Sequence, residues 1–455
     1  MCGINLCFGE SNIKLMNKLL AHRGIRETHV ELEKGIFLGH VRLPIQGLGE
    51  CFDHPYTFGP ITGAFVGEIF NYNSIDSRAK SDLPVLIHSY FEEGDEAFKR
   101  FDGFWAVILY NKIQREFRVM VDFLAKKPLY MRLDTLGISS EIKALIPLGD
   151  VSLNKTYISA VHKWGYCPDY TTIFNEIVKI PPGGCVVIDH KGQIKGTYIY
   201  DKLEPKLLLI SNELTLAVKN RTVSDVPISL LMSGGLDSTI IYYLLREFQE
   251  NIKIFHIAND EAQYLDYIDF RPGDQVTSLE IPTEITNTTT LQDILYYNDG
   301  PVDLGSMIPQ FLLAKEIRKH GISVCLSGDG ADELFGGYKR AMQYDSQYSD
   351  IFHELVFYHL PRLDKMMMSS MVELRSPFLA RSVIEAAMAL PYFTRMGKNG
   401  LKAIFQGIIP KEILDREKKP LRFKENQRVR LIHLYTNTFD IMIKNSSMER
   451  NHECK

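Results

Sequence analysis

Hydrophobic positions along the chain change their rhythm near residue 200. Up to about Asp150 they come in short runs rich in β-branched and aromatic side chains: Gly3 to Phe8, Ile36 to Leu43, Ile61 to Phe70, Phe104 to Tyr110 and Phe117 to Phe123. Runs of this length and make-up predict strands. Among them, Leu83 to Phe91 repeats at helical spacing behind Ser81 and Asp82, residues suited to a helix start. Ile173 to Ile180 and Cys185 to Ile188 flank the turn Pro181-Pro182-Gly183-Gly184, and Tyr198 to Pro205 is mixed and reads as a connection.

Past that connection the pattern alternates. Ser211 to Arg221 predicts a helix, and Val226 to Met232 a short buried strand. Thr239 to Phe248 carries one apolar stripe at helical spacing, and Ile252 to Ala258 is a second strand-like run. Strand, tight loop, helix and strand make the repeating unit of a parallel α/β sheet. Asp260 to Asn287 is polar and shows no period. Pro309 to Lys319 predicts a helix, Ile322 to Leu326 a strand, and the pattern after Tyr338 is helical.

The chain has 455 residues, too many for one ordinary domain, with 45% hydrophobic and 24% charged residues. A net charge of −4 gives no reason to expect nucleic acid or an anionic membrane as a partner. No apolar run approaches the ~20 residues of a membrane span, and the start, Met-Cys-Gly-Ile-Asn, lacks the pattern of a signal peptide. The seven cysteines form no CxxC pair, and an odd count fits a reducing, cytoplasmic setting.

Chemistry concentrates at two strand ends. Ser233-Gly234-Gly235-Leu236-Asp237-Ser238 joins a strand to a helix through two glycines and flanking hydroxyls. Such a loop exposes backbone N–H groups at a helix start, a cradle for phosphate, although a simple capping turn fits the same six residues. Ser327-Gly328-Asp329-Gly330-Ala331-Asp332-Glu333 follows a second strand. Loops at the same edge of a parallel sheet meet at its ligand site, so donors and Asp237 face Asp329, Asp332 and Glu333, as Mg²⁺ and phosphate require. Together with Phe335-Gly336-Gly337-Tyr338 these loops resemble the nucleotide-binding loops of the asparagine synthetase family, SGG-x-DS and SG-E/D-G-A/S-DE-x-FGGY.

A second resemblance covers the first third of the chain. Met1-Cys2-Gly3-Ile4, Gly39-His40-Val41-Arg42-Leu43, Gly67-Glu68-Ile69-Phe70-Asn71-Tyr72, Ser81-Asp82, Phe101-Asp102-Gly103-Phe104-Trp105-Ala106, Lys127-Pro128-Leu129-Tyr130 and Ser140-Glu141-Ile142-Lys143 line up in order with class II glutamine amidotransferases. These use a chain-terminal cysteine whose own amine serves as base. The resemblance implies Cys2 as nucleophile with Gly67 beside it, Arg42 for the glutamine carboxylate, and Glu68 and Asp82 for its ammonium, a match of charge types. Two departures stand out. Val66 occupies the place of the asparagine that helps form the family's oxyanion hole, and Arg23-Gly24-Ile25-Arg26 replaces Arg-Gly-Pro-Asp.

The resemblance thus implies an N-terminal-nucleophile (Ntn) hydrolase α/β/β/α sandwich over residues 1–200. A doubly wound, parallel-sheet ATP-pyrophosphatase domain of the adenine nucleotide alpha hydrolase type, with C-terminal helices, follows over 201–455. Glutamine, aspartate and ATP are the implied substrates, with Mg²⁺ at Asp237 and Asp332 and asparagine as product through an aspartyl adenylate. Ser233, Gly234, Gly235, Asp237, Ser238 and Ser327 would hold the nucleotide, with Leu231 and Gly328 contacting adenosine through their backbones. Asp329 and Asp332 would face the acceptor. Lys402 aligns with the family's catalytic lysine, though Gln406 stands where an arginine usually follows it four residues on. The basic residues Lys418, Lys419 and Arg422 read as a solvated face open to phosphate contact. Amidation of another carboxylate, synthesis from free ammonia, and a degenerate non-catalytic homologue remain alternatives, and a homodimer stays open.

Overall fold

The computed structural model describes residues 2–258, 262–280, 288–300, 304–338 and 353–416. Residues before 200 build two six-stranded antiparallel sheets. The first runs in the order Ile177–Lys179, Tyr130–Arg132, Gly137–Ser139, Gly3–Phe8, Ile36–Arg42, Arg26–Glu33. The second runs Ile194–Ile199, Gly184–Asp189, Glu116–Val121, Gly103–Asn111, Ile61–Ile69, Tyr56–Phe58. Strand alternation sorts their side chains. Ile4, Leu6, Ile36, Leu38, Ala64, Val66, Ala106 and Ile108 meet between the sheets, while Ile61, Phe65, Ile69, Trp105 and Val107 pack outward beneath the helix Asp82–Glu93. The helix Glu10–Leu19 covers the outer face of the first sheet through Ile13 and Met16. The layers are helix, sheet, sheet, helix, as the resemblance implies.

The third sheet is parallel throughout, in the order Gln275–Leu279, Lys253–Ile257, Ile228–Leu231, Val324–Leu326, Glu373–Arg375. The chain leaves Ile228–Leu231 toward one side and later returns to its other side at Val324–Leu326. The crevice at such a reversal lies beyond the carboxyl ends of these two strands. The helix Leu236–Leu245 buries Ile240, Ile241 and Leu245, and Met366, Met367 and Met368 are fully buried as the apolar end of the helix Leu360–Met368. The polar stretch after Asp260 contains a strand that its composition hides. Gln275–Leu279 is the sheet's edge and mostly exposed, so it needs no apolar alternation. No helix among the described residues is long and apolar enough to cross a membrane.

Candidate active sites

Register alone brings the first constellation together. Gly3 pairs with Val41 and Ile4 with His40, so Cys2 lies across from Arg42 at the end of the first sheet. On the facing strand Val66 and Glu68 share the inward side. Cys2 is 7% exposed. Burial raises its thiol pKa, opposed by a backbone hydrogen bond from Leu43 and the nearby charge of Arg42, while Glu68 adds to the rise. Gly67 has φ 139°, and a Cβ there would collide with the Phe104 carbonyl, so only glycine lets the two strands close at this point. Val66 is 1% exposed and packs in the same apolar cluster as Cys2, so no side-chain donor stands at that position.

The carboxylates form a buried acidic corner. Asp82 accepts from the Ile69 N–H at 3.0 Å, and burial pushes its carboxyl up to about 6. Glu68 is pushed well above its ordinary range by burial and then by Glu373 and Asp82, with Arg375 pulling the other way from 4.0 Å. Arg375 is committed to Glu373, to which its Nε donates at 2.6 Å, so Glu68 and Asp82 keep no close cation of their own and leave room for a substrate cation. Sequence reading missed Gln46, whose buried side-chain amide donates to Glu68 and whose Oε1 has no partner. Its place in a loop four residues after the strand Ile36–Arg42 gave no signal.

Arg42 is engaged already. Its guanidinium donates to Asp53 at 2.7 Å and to the carbonyls of Gln46 at 2.8 Å, Gly47 at 2.6 Å and Gly49 at 3.3 Å. A substrate carboxylate reaches it only if Asp53 gives way. Beside it, His40 and His54 stack with ring centroids 4.1 Å apart, and burial pushes the His40 pKa down to about 3. This pair is neutral packing, with the His40 Nε2 3.1 Å from the Phe65 carbonyl.

In the second constellation the two strand-end loops touch. A Cβ on Gly328 would sit 2.8 Å from Asp237 Cβ and 2.9 Å from Ser238 N, so these loops pack backbone to backbone. Ser238 Oγ holds the first loop shut, accepting from Ser233 N at 3.1 Å and donating to the Gly235 carbonyl at 3.2 Å. Gly234 has φ 69°, and the N–H groups after it open the helix Leu236–Leu245. Leu231 ends its strand, and Ser327 N–H donates to the Arg375 carbonyl at 3.0 Å. Asp329 is half-buried, and Glu333 is buried and accepts from Tyr338 Oη at 2.6 Å.

The cation between these loops is Lys398. Its ammonium lies 2.7 and 2.5 Å from the two oxygens of Asp237 and 2.6 Å from Asp332 Oδ1. Gly337 packs against this pair so closely that a Cβ would overlap Asp332 Oδ1. Lys402, by contrast, is half-exposed one turn along the helix Asn399–Ile404 and makes no ion pair among the described residues. With Lys398 as the site lysine, the residue four positions on is Lys402, a cation where the family has arginine. That spacing was the available signal. Lys418, Lys419 and Arg422 lie outside the described residues. Among the described residues no three His, Cys, Asp or Glu side chains are grouped to hold a metal.

The two constellations are linked through side chains that border one cavity. A small cavity is lined by Phe104, Lys126, Lys127, Leu363, Asp364, Ser376 and Leu379 among others, drawn from both halves of the chain. Ser376 Oγ is 3.4 Å from Ser327 Oγ at the second site, and Asp364 pairs at 2.8 Å with Arg23, which donates at 3.0 Å to the Cys2 carbonyl at the first.

Comparison with known proteins matches two family models to different parts of the chain. The family model for asparagine synthase matches residues 209–355 and 342–445, and the model for a glutamine amidotransferase domain matches residues 1–199. The chain is 28% identical over 72% of its length to asparagine synthetase [glutamine-hydrolyzing] 1 of Bacillus subtilis, of which it spans 56%. It is 25% identical over 89% of its length to asparagine synthetase B [glutamine-hydrolyzing] of Escherichia coli, spanning 77% of that protein. A putative asparagine synthetase [glutamine-hydrolyzing] 2 of Methanocaldococcus jannaschii is 28% identical over 74% of the chain and 76% of its own length. Among solved structures, a glutamine phosphoribosylpyrophosphate amidotransferase from B. subtilis aligns with 55% of the chain and 64% of its own at 14% identity and a TM-score of 0.33, too loose a likeness to carry an argument. With a synthase region that alone spans more than half its length, the chain belongs to the asparagine synthase family.

Proposed function

We propose that this chain makes asparagine from aspartate and ATP in the cytoplasm, with glutamine as nitrogen donor. The observation that carries this reading is the second site: two strand-end loops in backbone contact, with Asp237, Asp332 and Lys398 converging on one point. A hydroxyl- and amide-lined loop at a helix start suits the pyrophosphate of ATP as a leaving group. Aspartate's β-carboxylate attacks the α-phosphorus, pyrophosphate departs, and ammonia then displaces AMP from the acyl carbon. Leu231 and Gly328 contact adenosine through their backbones, and Asp329 and Asp332 face the acceptor. Lys398, released from its carboxylates, stabilises charge developing on the phosphate oxygens. Asp237 and Asp332, hard oxygen donors once Lys398 turns to phosphate, would hold Mg²⁺, which would supply positive charge toward the leaving pyrophosphate.

At the first site, after removal of Met1, the Cys2 thiol attacks the glutamine amide carbon, its α-amine passes the thiol proton to the departing ammonia, and water then cleaves the thioester to release glutamate. The acidic corner of Glu68 and Asp82 receives the substrate ammonium, and Arg42 exchanges Asp53 for its carboxylate. The Gly67 N–H remains as an oxyanion donor beside Val66. Ammonia then passes through the cavity between the domains. Synthesis from free ammonia is the second reading, favoured by Val66, since loss of one oxyanion-hole donor lowers a rate about a hundredfold to a thousandfold.

Exchange of labelled pyrophosphate into ATP tests the acceptor. Exchange that depends on aspartate, and is lost in Asp237→Asn, is the expected result. Exchange driven by a different carboxylate would reassign the substrate, and none with any carboxylate would remove adenylation altogether.

A further inference from the structure

Arg23 holds the backbone of Cys2 and is itself held from the other half of the chain. It is 1% exposed, and every arm of its guanidinium is used. Nε donates to the Cys2 carbonyl at 3.0 Å, Nη1 to Glu141 at 2.5 Å, and Nη2 to Asp364 Oδ2 at 2.8 Å. Asp364 lies on the helix Leu360–Met368, within the region matched by the asparagine synthase family model. Its other oxygen accepts from Lys127 at 2.6 Å. Burial alone would push the Asp364 carboxyl up, but the charges of Arg23 and Lys127 outweigh this and hold it below its ordinary range. The loop that follows Arg23 is fixed as well: Ile25 N–H donates to the Arg42 carbonyl at 2.8 Å.

A planar guanidinium tied at three points has one orientation. Its grip on the Cys2 carbonyl sets the peptide plane of the nucleophilic residue, and with it the directions of the thiol and the α-amine. We propose that Asp364 is a positioning residue for the glutaminase reaction: the synthetase half supplies the carboxylate that orients Arg23, and Arg23 orients Cys2. The inference rests on the reading of Cys2 as nucleophile and assigns the second half a part in the first reaction. Without Asp364 the guanidinium keeps only two ties, and Glu141 alone is left to hold in place the group that grips the Cys2 carbonyl. Asparagine at 364 cannot replace the carboxylate, because its amide nitrogen would point hydrogens at one of two cations.

The test is a double-mutant cycle of Asp364→Asn and Arg23→Lys, with three readouts on the full chain. The glutaminase kcat should fall about tenfold to a hundredfold in Asp364→Asn, the effect of one charged hydrogen bond, with KM for glutamine little changed. The double variant should be no worse than the poorer single, as for residues acting through one another. Alkylation of Cys2 by iodoacetamide, followed on its own peptide, should rise severalfold in each variant as the buried thiol loosens. Aspartate-dependent pyrophosphate exchange should stay at wild-type level and reports that the fold is intact. Multiplicative losses in the cycle, or an unchanged Cys2 alkylation rate in Asp364→Asn, would overturn the proposal. If the wild-type protein releases no glutamate, the reading of the first site fails, and the alkylation rates alone decide whether Asp364 positions Cys2.

Discussion

Asp82 ionises near pH 6 instead of 3.8 because burial disfavours its charge, and Glu68 beside it is raised further. Between those two values the folded chain holds a proton on Asp82 that the unfolded chain has released. This group therefore favours the folded state at low pH and loses that contribution as pH rises through 6. Glutamine binding follows the opposite sign, since only the ionised acids attract an ammonium. The kcat/KM for glutamine should fall as pH drops below about 6, and the inflection should be absent from aspartate-dependent pyrophosphate exchange; a flat profile would remove Asp82 from the pocket. Gln46→Leu should raise KM for glutamine several-fold with little change in kcat, because its unpartnered Oε1 and its bond to Glu68 belong to the same corner. At the second site Lys398→Ala should cost at least about a hundredfold in AMP formation, as for a group that meets developing charge, and Lys402→Ala little. Equal losses would return the role to Lys402.

Elements explain which of these residues could be read in advance. The strands Gly3–Phe8, Ile36–Arg42 and Ile61–Ile69 are buried on both faces, so their apolar runs announce them, and the motifs on their ends come with them. Arg26–Glu33 and Gln275–Leu279 are edge strands, largely polar, and carry no such pattern. The phosphate and acidic loops were legible because glycine, hydroxyl and carboxylate recur at strand ends. Lys398 was hidden from periodicity, because it stands in a left-handed conformation at the start of a short helix, φ 61°, and only its spacing of four from Lys402 pointed to it. Gly337 belongs to the same structure. Gly337→Ala should impair AMP formation about as severely as Lys398→Ala, because the added methyl overlaps the Asp332 carboxylate that Lys398 binds. Wild-type activity in that variant would show that the close approach relaxes freely.

Across the whole molecule, Lys127, Glu141, Asp299 and Asp364 stand on four separate segments, and nothing in their spacing says that they meet. They form one buried ionic network. Lys143 pairs with Glu141 and with Asp299 at 2.8 Å, Lys365 with Asp299 at 3.1 Å, and Asp299 also accepts the backbone N–H groups of Ile142 at 2.9 Å and Lys143 at 3.1 Å. Asp299→Ala would leave two buried lysines short of their acceptor and should lower stability by about 3–5 kcal/mol, read from denaturant unfolding, as when one partner of a buried pair is removed. Such a network ties the two halves together beside the cavity they share, the passage for ammonia in the proposed function. The most direct test of that arrangement is asparagine and AMP formation from ATP, Mg²⁺ and aspartate, with glutamine or ammonium as donor, in the wild-type protein and in Cys2→Ala. The account predicts that wild type uses both donors and that Cys2→Ala uses ammonium alone; equal loss of both in Cys2→Ala, or glutamine use that survives it, would contradict a two-site enzyme with Cys2 as its nucleophile.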